Sequence, residues 1–321
     1  MSGAGATLLS PSRRSGTLTR VEDGSESGRR LAAMVGPVGV WSSHLQWQPA
    51  DVAREAVAEF ERLGFGAVWV GEATGKEALT HASILLAATS KIVVGTGIAS
   101  IWARDPVAMA NGARTLAEAY PDRFVLGLGV SHPFLTEPRD RRYERPLEAM
   151  RAYLEAMDRA PYVGPASLPP PRVLAALGPK MLGLARDRAA GAHPYFVPVE
   201  HTARARRLLG PIPILAPEQA VAIDSDPQRA RRIARPYMAS YLKLESYVKN
   251  LSRLGWPDQD LADGGSDRLV DALVACGDIE ATLARIREHL DAGADHVAVR
   301  VLTEDPTALP MEDVRAIAAA M

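Results

Sequence analysis

The chain has 321 residues, 47% of them hydrophobic, and a formal net charge of −1. This length is enough for one large domain or two ordinary ones, and the balanced charge argues against nucleic acid or an acidic membrane as a partner. The single cysteine, Cys276, excludes an intrachain disulfide and a metal site built from thiolates, and it fits a cytoplasmic location.

The first thirty residues, 1–30, are rich in serine, glycine and arginine and lack the continuous apolar segment of a secretory signal. We expect them to form a disordered N-terminal extension. A single domain is predicted over residues 31–321. No apolar run in the chain approaches the ~20 residues that a transmembrane helix needs.

Short apolar runs alternate with helical segments from residue 34 onward. Eight of these runs are predicted strands: 34–41, 67–72, 91–98, 123–131, 171–178, 192–197, 212–223 and 295–302. Helical segments follow the first seven, with apolar residues at helical spacing, as at Val52, Ala56 and Phe60. One helix is predicted to begin at Pro106 with Asp105 as its N-cap.

Nearly continuous apolar strands are typical of a parallel sheet that is buried on both faces. Eight such units predict an α/β fold, a (β/α)8 TIM-like barrel with insertions after strand 4 and between strands 7 and 8. The first insertion is the proline-rich stretch 158–171, and the second is predicted to be helical. The alternative is an open doubly wound sheet, which is disfavoured because no G-x-G-x-x-G motif follows the first strand.

The active site of such a barrel lies at the carboxyl ends of its strands. These ends carry glycines, aromatic residues and a few polar groups, rather than paired carboxylates, a metal-binding cluster or a serine nucleophile elbow. That composition suits a flat, partly apolar ligand with a phosphate tail. Gly178, Pro179 and Lys180 form a candidate phosphate-binding turn at a helix N-terminus, although Gly-Pro also occurs as a plain strand-to-helix turn.

Four segments resemble the bacterial luciferase-like superfamily, and most closely its deazaflavin (coenzyme F420)-dependent oxidoreductases. They are AVWVGE, IVVGTGIASIWARDP, AEAYPDRFVLGLGVSH and LAALGPKMLGLARDRAAGAHPYF, and the similarity runs over residues 34–302. The resemblance implies a TIM-like barrel that binds a flavin or deazaflavin across the strand ends. It also implies a homodimer.

The resemblance implies roles for individual residues at the strand ends. A non-prolyl cis peptide bond between Gly97 and Ile98 would support the tricyclic ring of the cofactor. The other cofactor-binding residues are expected to be Ala99, Gly129, Val130, Ser131, Gly178, Pro179, Lys180, Met181 and His193, with the 178–181 turn holding the phosphate. Trp41 and Trp102 are expected to line the substrate side, although such aromatic residues also serve as plain core or rim residues.

Two positions depart from the pattern of the sugar-phosphate dehydrogenases in this branch. Glu72 stands where those enzymes carry an aspartate, and Ala73 where they carry a catalytic histidine. His132 replaces an acid at the end of the fourth strand. The acid–base candidates are therefore His132, Glu72 and, third, His44, because an imidazole titrates near neutral pH.

We therefore expect a coenzyme F420-dependent oxidoreductase that transfers hydride to or from a small organic substrate, with no metal. A deazaflavin does not activate oxygen usefully, which favours this activity over oxygenation. Three alternatives stay open. They are an FMN-dependent luciferase-like monooxygenase, a flavin-type cofactor-binding protein with little turnover, and an unrelated barrel enzyme that acts on a phosphorylated metabolite.

Overall fold

In this computed structural model, the structure describes residues 24–140, 142–165 and 168–321. The described residues form one sheet in which every strand pairing is parallel. Its strands are β1 Val38–Trp41, β2 Ala67–Val70, β3 Val93–Thr96, β4 Ala99–Ser100, β5 Phe124–Gly129, β6 Arg172–Leu174, β7 Gly191–Ala192, β8 Ile214–Leu215, β9 Glu218–Ile223, β10 Val274–Gly277 and β11 Val297–Val301.

The helices surround this sheet, and the main apolar core lies between the two layers. They are α1 Gly24–Val35, α2 Ala50–Arg62, α3 Ala78–Leu86, α4 Pro106–Ala119, α5 Pro133–Thr136, α6 Pro146–Asp158, α7 Pro179–Arg188, α8 Val199–Leu209, α9 Pro227–Tyr241, α10 Glu245–Arg253, α11 Asp258–Leu261, α12 Asp267–Leu273, α13 Ile279–Asp291 and α14 Met311–Ala320. The predicted start of α4 is confirmed: Pro106 is its first residue, and the Asp105 carboxylate accepts from the backbone N–H groups of Val107 and Ala108.

The seventh predicted strand closes the barrel, although it is broken in the middle. Its first part, β8, pairs with β7, and its second part, β9, pairs with β11. Pro217 lies between the two parts and its carbonyl accepts from the Ala298 N–H at 2.9 Å. Since β11 pairs with β1, the sheet returns to its first strand. The TIM-like barrel predicted from the sequence is thereby confirmed.

Both insertions are present, and the second differs from its prediction. It lies between β9 and β11 and contains, besides helices, the strand β10, which pairs with β9. The segment DRLVDALVACG carries no glycine or proline before Gly277, so its pattern resembles a continuing helix. After β5 the chain forms the short α5 and a 3-10 turn over Glu137–Arg139 before α6. The two-residue strand β4 also went unpredicted.

The predicted disordered extension, 1–30, needs a correction at its end. Residues 1–23 lie outside the described residues, whereas 24–30 form the first half of α1. The reason is burial, because Leu31 and Val35 of this helix are fully buried in an apolar cluster. Gly28 lets the helix approach the Ile212 carbonyl so closely that a Cβ there would lie 2.4 Å from the carbonyl oxygen. This helix therefore packs against the segment that enters β8, at the end of the barrel opposite the carboxyl ends.

Within the part of the chain that the structure describes, no helix is both long enough and apolar enough to span a bilayer.

Candidate active site

A cavity of about 1680 Å³ opens at the carboxyl ends of the strands, where the barrel fold predicts the active site. This volume exceeds the ~300–1,000 Å³ of a typical ligand pocket, so there is room for a cofactor and a second molecule. All but two of the predicted site residues line it: Trp41, His44, Glu72, Gly97, Ile98, Gly129, Val130, Ser131, His132, Gly178, Pro179, Lys180, Met181 and His193.

Gly97, Ile98 and Gly129 form one apolar surface of the cavity, which we call the ring floor. The peptide bond between Gly97 and Ile98 is cis, as the resemblance implied. The Ile98 side chain packs directly over Gly129, since a Cβ at Gly129 would lie 2.5 Å from Ile98 Cδ1. Backbone hydrogen bonds fix this segment, from Gly97 N–H to the Val70 carbonyl at 2.7 Å and from Glu72 N–H to the Ile98 carbonyl at 3.1 Å.

Ala99 and Trp102 were expected in the site, and the structure places neither in the cavity wall. Ala99 lies in β4, pairs with Leu128 and is buried in the core between sheet and helices. Trp102 packs partly against the same core. Its indole N–H donates to the Val130 carbonyl at 2.8 Å, so that Trp102 supports a cavity-lining segment from behind.

Glu72 lies in a saturated polar arrangement, which we call the Glu72 corner. Its carboxylate accepts from the Ser100 N–H at 2.8 Å and the Ala78 N–H at 3.3 Å, and both its oxygens contact the Arg104 guanidinium. Only 4% of the Glu72 side chain and 12% of the Arg104 side chain are exposed. A carboxylate with four donors is fully engaged, so we interpret Glu72 as a positioning residue rather than an acid–base catalyst.

His44 follows β1 and is buried in the cavity wall. Burial, and secondly the charge of Arg300, lower its pKa to about 4, so its imidazole is neutral at pH 7. Its Nε2 lies 3.3 Å from Thr303 Oγ1, and that hydroxyl donates to the Asp305 carbonyl at 2.7 Å. Thr303 therefore accepts from His44, which assigns the hydrogen to Nε2 and leaves Nδ1 with a lone pair.

His132 lies half-buried in the cavity wall, immediately before α5. Its ring is stacked on Phe134, with 6.0 Å between centroids, and it contacts Tyr247 of α10 at 5.5 Å. Burial lowers its pKa, which favours the neutral imidazole. His132 is thus held by aromatic contacts, whereas His44 is also oriented by a hydrogen bond.

His193 and Trp41 leave two polar atoms without partners next to the ring floor. The His193 Nδ1–H donates to the Ala216 carbonyl at 2.6 Å, so Nε2 carries a lone pair. A Cβ at Gly97 would lie 3.1 Å from this Nε2 and 2.6 Å from Trp41 Nε1. Both atoms are buried without a hydrogen-bond partner. Buried polar groups are normally satisfied, so these two indicate a position for a ligand atom.

The 178–181 turn begins α7, and two exposed cations, Lys180 and Arg253, lie at it. Lys180, Lys243 and Arg253 all line the cavity, and we call them the cationic rim. A Cβ at Gly178 would lie 3.4 Å from the Arg253 guanidinium, which places this cation beside the helix N-terminus. In the described ranges these three cations have no carboxylate partner, whereas the neighbouring Lys249 pairs with Glu245 at 2.5 Å.

The sequence-based prediction missed one wall of the cavity. This wall consists of Arg300 of β11 and four tyrosines, namely Tyr195, Tyr237, Tyr241 and Tyr247. Two of the tyrosines come from α9 and one from α10, which belong to the insertion before β10. The available indication was the arginine itself, which interrupts the apolar strand VAVRV.

Among the residues that the structure describes, no group of three or more His, Cys, Asp or Glu side chains is placed to hold a metal ion.

The model of the luciferase-like monooxygenase family matches residues 32–296. A protein of Mycobacterium tuberculosis, provisionally named a coenzyme F420-dependent oxidoreductase, is 34% identical over 131 residues. That match covers 40% of this chain and 36% of the relative's length. The 5,10-methylenetetrahydromethanopterin reductase of Methanolobus tindarius is 25% identical over 281 residues, which covers 74% of this chain and 86% of that protein.

Two solved structures show the same fold. Coenzyme F420-dependent tetrahydromethanopterin reductase from Methanopyrus kandleri is similar with a TM-score of 0.71 and 18% identity, covering 88% of this chain and 96% of that one. The oxygenating constituent of 3,6-diketocamphane monooxygenase from Pseudomonas putida, solved with FMN, gives 0.65 and 14%, covering 89% and 96%. At these identities the likeness concerns the fold alone.

Proposed function

Since the chain belongs to the luciferase-like monooxygenase family, we propose that it is a coenzyme F420-dependent oxidoreductase that transfers hydride to or from a small organic substrate. Coenzyme F420, when bound, supplies a central-ring carbon that takes up or releases hydride. The chain supplies the ring floor, the polar contacts and the proton. One relative is provisionally named a coenzyme F420-dependent oxidoreductase and another a methylenetetrahydromethanopterin reductase, which supports this choice.

The observation that carries the proposal is the pairing of an apolar ring floor with a cationic rim in one cavity. Ile98 over Gly129 offers a flat apolar surface, and the unpartnered Trp41 Nε1 and His193 Nε2 offer a donor and an acceptor at its edge. Lys180 and Arg253 lie without carboxylate partners at the 178–181 turn, where a phosphate tail would emerge, and Lys243 lines the same cavity. FMN ends in one phosphate, whereas coenzyme F420 continues into a chain of carboxylates, so the extra cations favour F420.

We assign proton handling to His44. Its neutral imidazole presents the Nδ1 lone pair while Thr303 fixes the ring through Nε2, which is how an oriented general base is built. The tyrosine wall excludes water from the same part of the cavity, because Tyr237 and Tyr247 are almost fully buried. His132, on the outer wall, is the second candidate.

The first test is a titration of purified protein with coenzyme F420 and, separately, with FMN, followed by cofactor fluorescence. We expect micromolar affinity for F420 and at least about tenfold weaker binding of FMN. The reverse order of affinities would assign the chain to FMN-dependent monooxygenation. Binding of neither cofactor would overturn the proposal.

The double variant Lys180→Gln/Arg253→Gln tests the rim. We expect F420 affinity to fall about tenfold at low salt and to depend less on ionic strength, because two exposed charges whose attraction salt screens are lost. Arg151→Gln, on the exposed face of α6, is the matched control and should bind as the wild type does. Equal affinity in the double variant would place the tail elsewhere.

Turnover is tested by screening secondary alcohols with oxidised F420, and enones and quinones with the reduced cofactor, through the cofactor's absorbance. With a substrate in hand, His44→Gln should abolish the acid limb of the pH–rate profile, while His132→Gln should retain it. The opposite result would transfer the proton role to His132. The cytoplasmic location and the homodimer predicted from the sequence stay predictions.

A further inference from the structure

Arg300 is a partly buried cation near the carboxyl end of β11. Its Nη1 donates to the Tyr241 hydroxyl at 3.3 Å, and its Nη2 donates to Ser43 Oγ at 3.2 Å. Its Nε–H is buried without a hydrogen-bond partner. In the part of the chain that the structure describes, no carboxylate pairs with this guanidinium. A charge that is largely withdrawn from solvent is ordinarily paired, so the unpaired guanidinium of Arg300 needs a separate explanation.

Aromatic faces surround the guanidinium. The Arg300 Cζ lies 4.9 Å from the ring centroid of Trp41, 4.9 Å from that of Tyr237 and 5.8 Å from that of Tyr195. These contacts stabilise the cation but do not neutralise it. We call this set, with Ser43 and Tyr241, the Arg300 pocket.

A buried acid that contacts Tyr237 of this wall, Glu218, does not compensate the charge. Glu218 accepts hydrogen bonds from the Phe196 N–H at 3.2 Å and from the Tyr237 hydroxyl. Burial raises its pKa to about 8, so it is protonated at neutral pH. Burial also lowers the pKa of Arg300, but only to about 9, so the guanidinium stays charged. The pocket therefore carries a net positive charge in apolar surroundings.

The Arg300 pocket adjoins the ring floor through Trp41. The Arg300 Cζ lies over the Trp41 ring, and the Nε1 atom of that ring is the one that a Cβ on Gly97 would approach to 2.6 Å. Ser43 and His44 are neighbours in sequence, and His44 is close enough to Arg300 for that charge to lower the imidazole's pKa. A molecule held by Arg300 would thus lie beside both the ring floor and His44.

We propose that Arg300 binds a carboxylate of the substrate, so that the substrates are organic acids whose reacting carbon lies on an apolar body. This inference rests on the proposed function, because it places the acid next to the hydride-carrying ring. The Nε and Nη2 edge of a guanidinium matches the two oxygens of a carboxylate. A phosphate would call for a second cation, and the rest of the pocket offers aromatic faces and hydroxyl groups.

The same contact has a consequence for His44. Burial is the main cause of the lowered pKa of His44, and the charge of Arg300 is the second. A substrate carboxylate that pairs with Arg300 neutralises that charge and therefore raises the pKa of His44. His44 then becomes a stronger base only when an acid occupies the pocket, which couples recognition to proton transfer.

The test compares 3-phenylpropionate, its neutral amide and inorganic phosphate as probes, by calorimetric titration and by thermal shift of the cofactor-free protein. We expect the wild type to bind the carboxylate at least about tenfold more tightly than the amide, with no measurable binding of phosphate in the Arg300 pocket. Arg300→Met should lose the preference, and Arg300→Lys should recover part of it. Arg151→Met is the control that should keep the full preference. Equal affinity for carboxylate and amide, or an unchanged preference in Arg300→Met, would overturn the proposal.

The melting temperature of ligand-free protein separates recognition from a structural role. Arg300→Met should melt at the same or a higher temperature than the wild type, because a partly buried charge without a carboxylate partner is removed. A lower melting temperature in both Arg300→Met and Arg300→Lys, without a change in carboxylate preference, would make Arg300 structural and overturn the proposal.

An F420 titration of Arg300→Met separates this inference from the proposed function. Wild-type affinity for F420 together with a lost carboxylate preference supports the proposal. A loss of F420 binding in the folded variant would assign Arg300 to the cofactor and overturn it. If the wild type binds the carboxylate selectively but binds no F420, the Arg300 site stands and the proposed function falls.

Discussion

The Glu72 corner and the Arg300 pocket are two polar regions at the same end of the barrel, and their arginines differ in how completely they are paired. Arg104 contacts both oxygens of the Glu72 carboxylate, which two backbone N–H groups complete. Arg300 has two hydroxyl acceptors, aromatic faces and a bare Nε–H. The corner is complete without a ligand, whereas the pocket is not. Hydrogen bonding is therefore complete in the Glu72 corner, which stabilises the fold, and incomplete in the Arg300 pocket, where we propose that a substrate binds.

The largest effect is expected from Glu72→Gln in the corner. This change removes the buried carboxylate partner of Arg104 and leaves the half-exposed Glu77 beside that charge, so the free energy of unfolding should fall by about 3 kcal/mol, the lower end for a broken buried pair. Urea denaturation at pH 7 measures it. Glu148→Gln, which removes an ion pair between largely exposed side chains of Arg145 and Glu148, is the matched control and should cost less than about 1 kcal/mol.

The comparison fails if both substitutions cost the same. It would fail equally if Arg300→Met proved as destabilising as Glu72→Gln, because the two arginines would then serve the fold alike. A stable Glu72→Gln variant would return Glu72 to the acid–base candidates.

The histidines are a third kind of buried polar group. An imidazole can be buried without a charged partner as long as it stays neutral. All seven histidines of the chain have a pKa lowered by burial, for example to about 4 in His193, His201 and His296. A histidine with a lowered folded pKa contributes stability that is present above its unfolded pKa near 6.5 and is lost as pH falls towards 4. Each fully buried histidine should cost roughly 1 kcal/mol between pH 7 and 5.5.

We expect urea denaturation to show a net loss of a few kcal/mol over this range. Glu218 acts in the opposite sense, since its raised pKa removes stability as pH rises towards 8, but it is a single group. His201→Gln keeps a donor for the Leu177 carbonyl and removes one titrating group, so its loss should be smaller by about 1 kcal/mol. A free energy of unfolding that does not change from pH 7 to 5.5 would contradict the neutral state of these imidazoles.

The barrel was predictable because each strand is a local apolar run and parallel strands have a fixed functional end. The details that the sequence did not predict depend on contacts between residues far apart in the chain. The break at Pro217 depends on two different neighbours, and β10 depends on an edge that only the folded β9 provides. Trp102 is an aromatic residue near a strand end, which is typical of a ligand contact, but the path of β4 directs its side chain towards the core.

The same limit applies to the site. The glycines of the ring floor and the 178–181 turn could be predicted from the sequence, because glycine at a strand end allows the backbone to turn or to approach a ligand closely. The Arg300 pocket combines β11 with tyrosines from α9 and the segment after β7, which are far apart in sequence. Whether Glu72 is free or saturated depends on Arg104, a residue of unremarkable type in a loop.

The smallest changes in affinity and stability are expected at two glycines, of which one lies in the proposed ligand site and the other in a helix. Gly129 lies under Ile98 in the ring floor, whereas an added Cβ at Gly183 of α7 meets nothing within 4 Å. In Gly129→Ala the Ile98 side chain must move, and the open cavity gives it room at little cost in stability. The displaced side chain then occupies the ring site, so F420 affinity should fall about tenfold while stability changes by less than ~1 kcal/mol.

Gly183→Ala should behave in the reverse manner. Alanine is a better helix former than glycine, so the free energy of unfolding should rise by about 0.5–1 kcal/mol, and F420 affinity should not change. Fluorescence titration and urea denaturation of the two variants measure both quantities. If Gly129→Ala lost stability and kept its affinity, the ring floor would be packing of the same kind as the Glu72 corner. The separation of fold from ligand site would then hold for Arg300 alone.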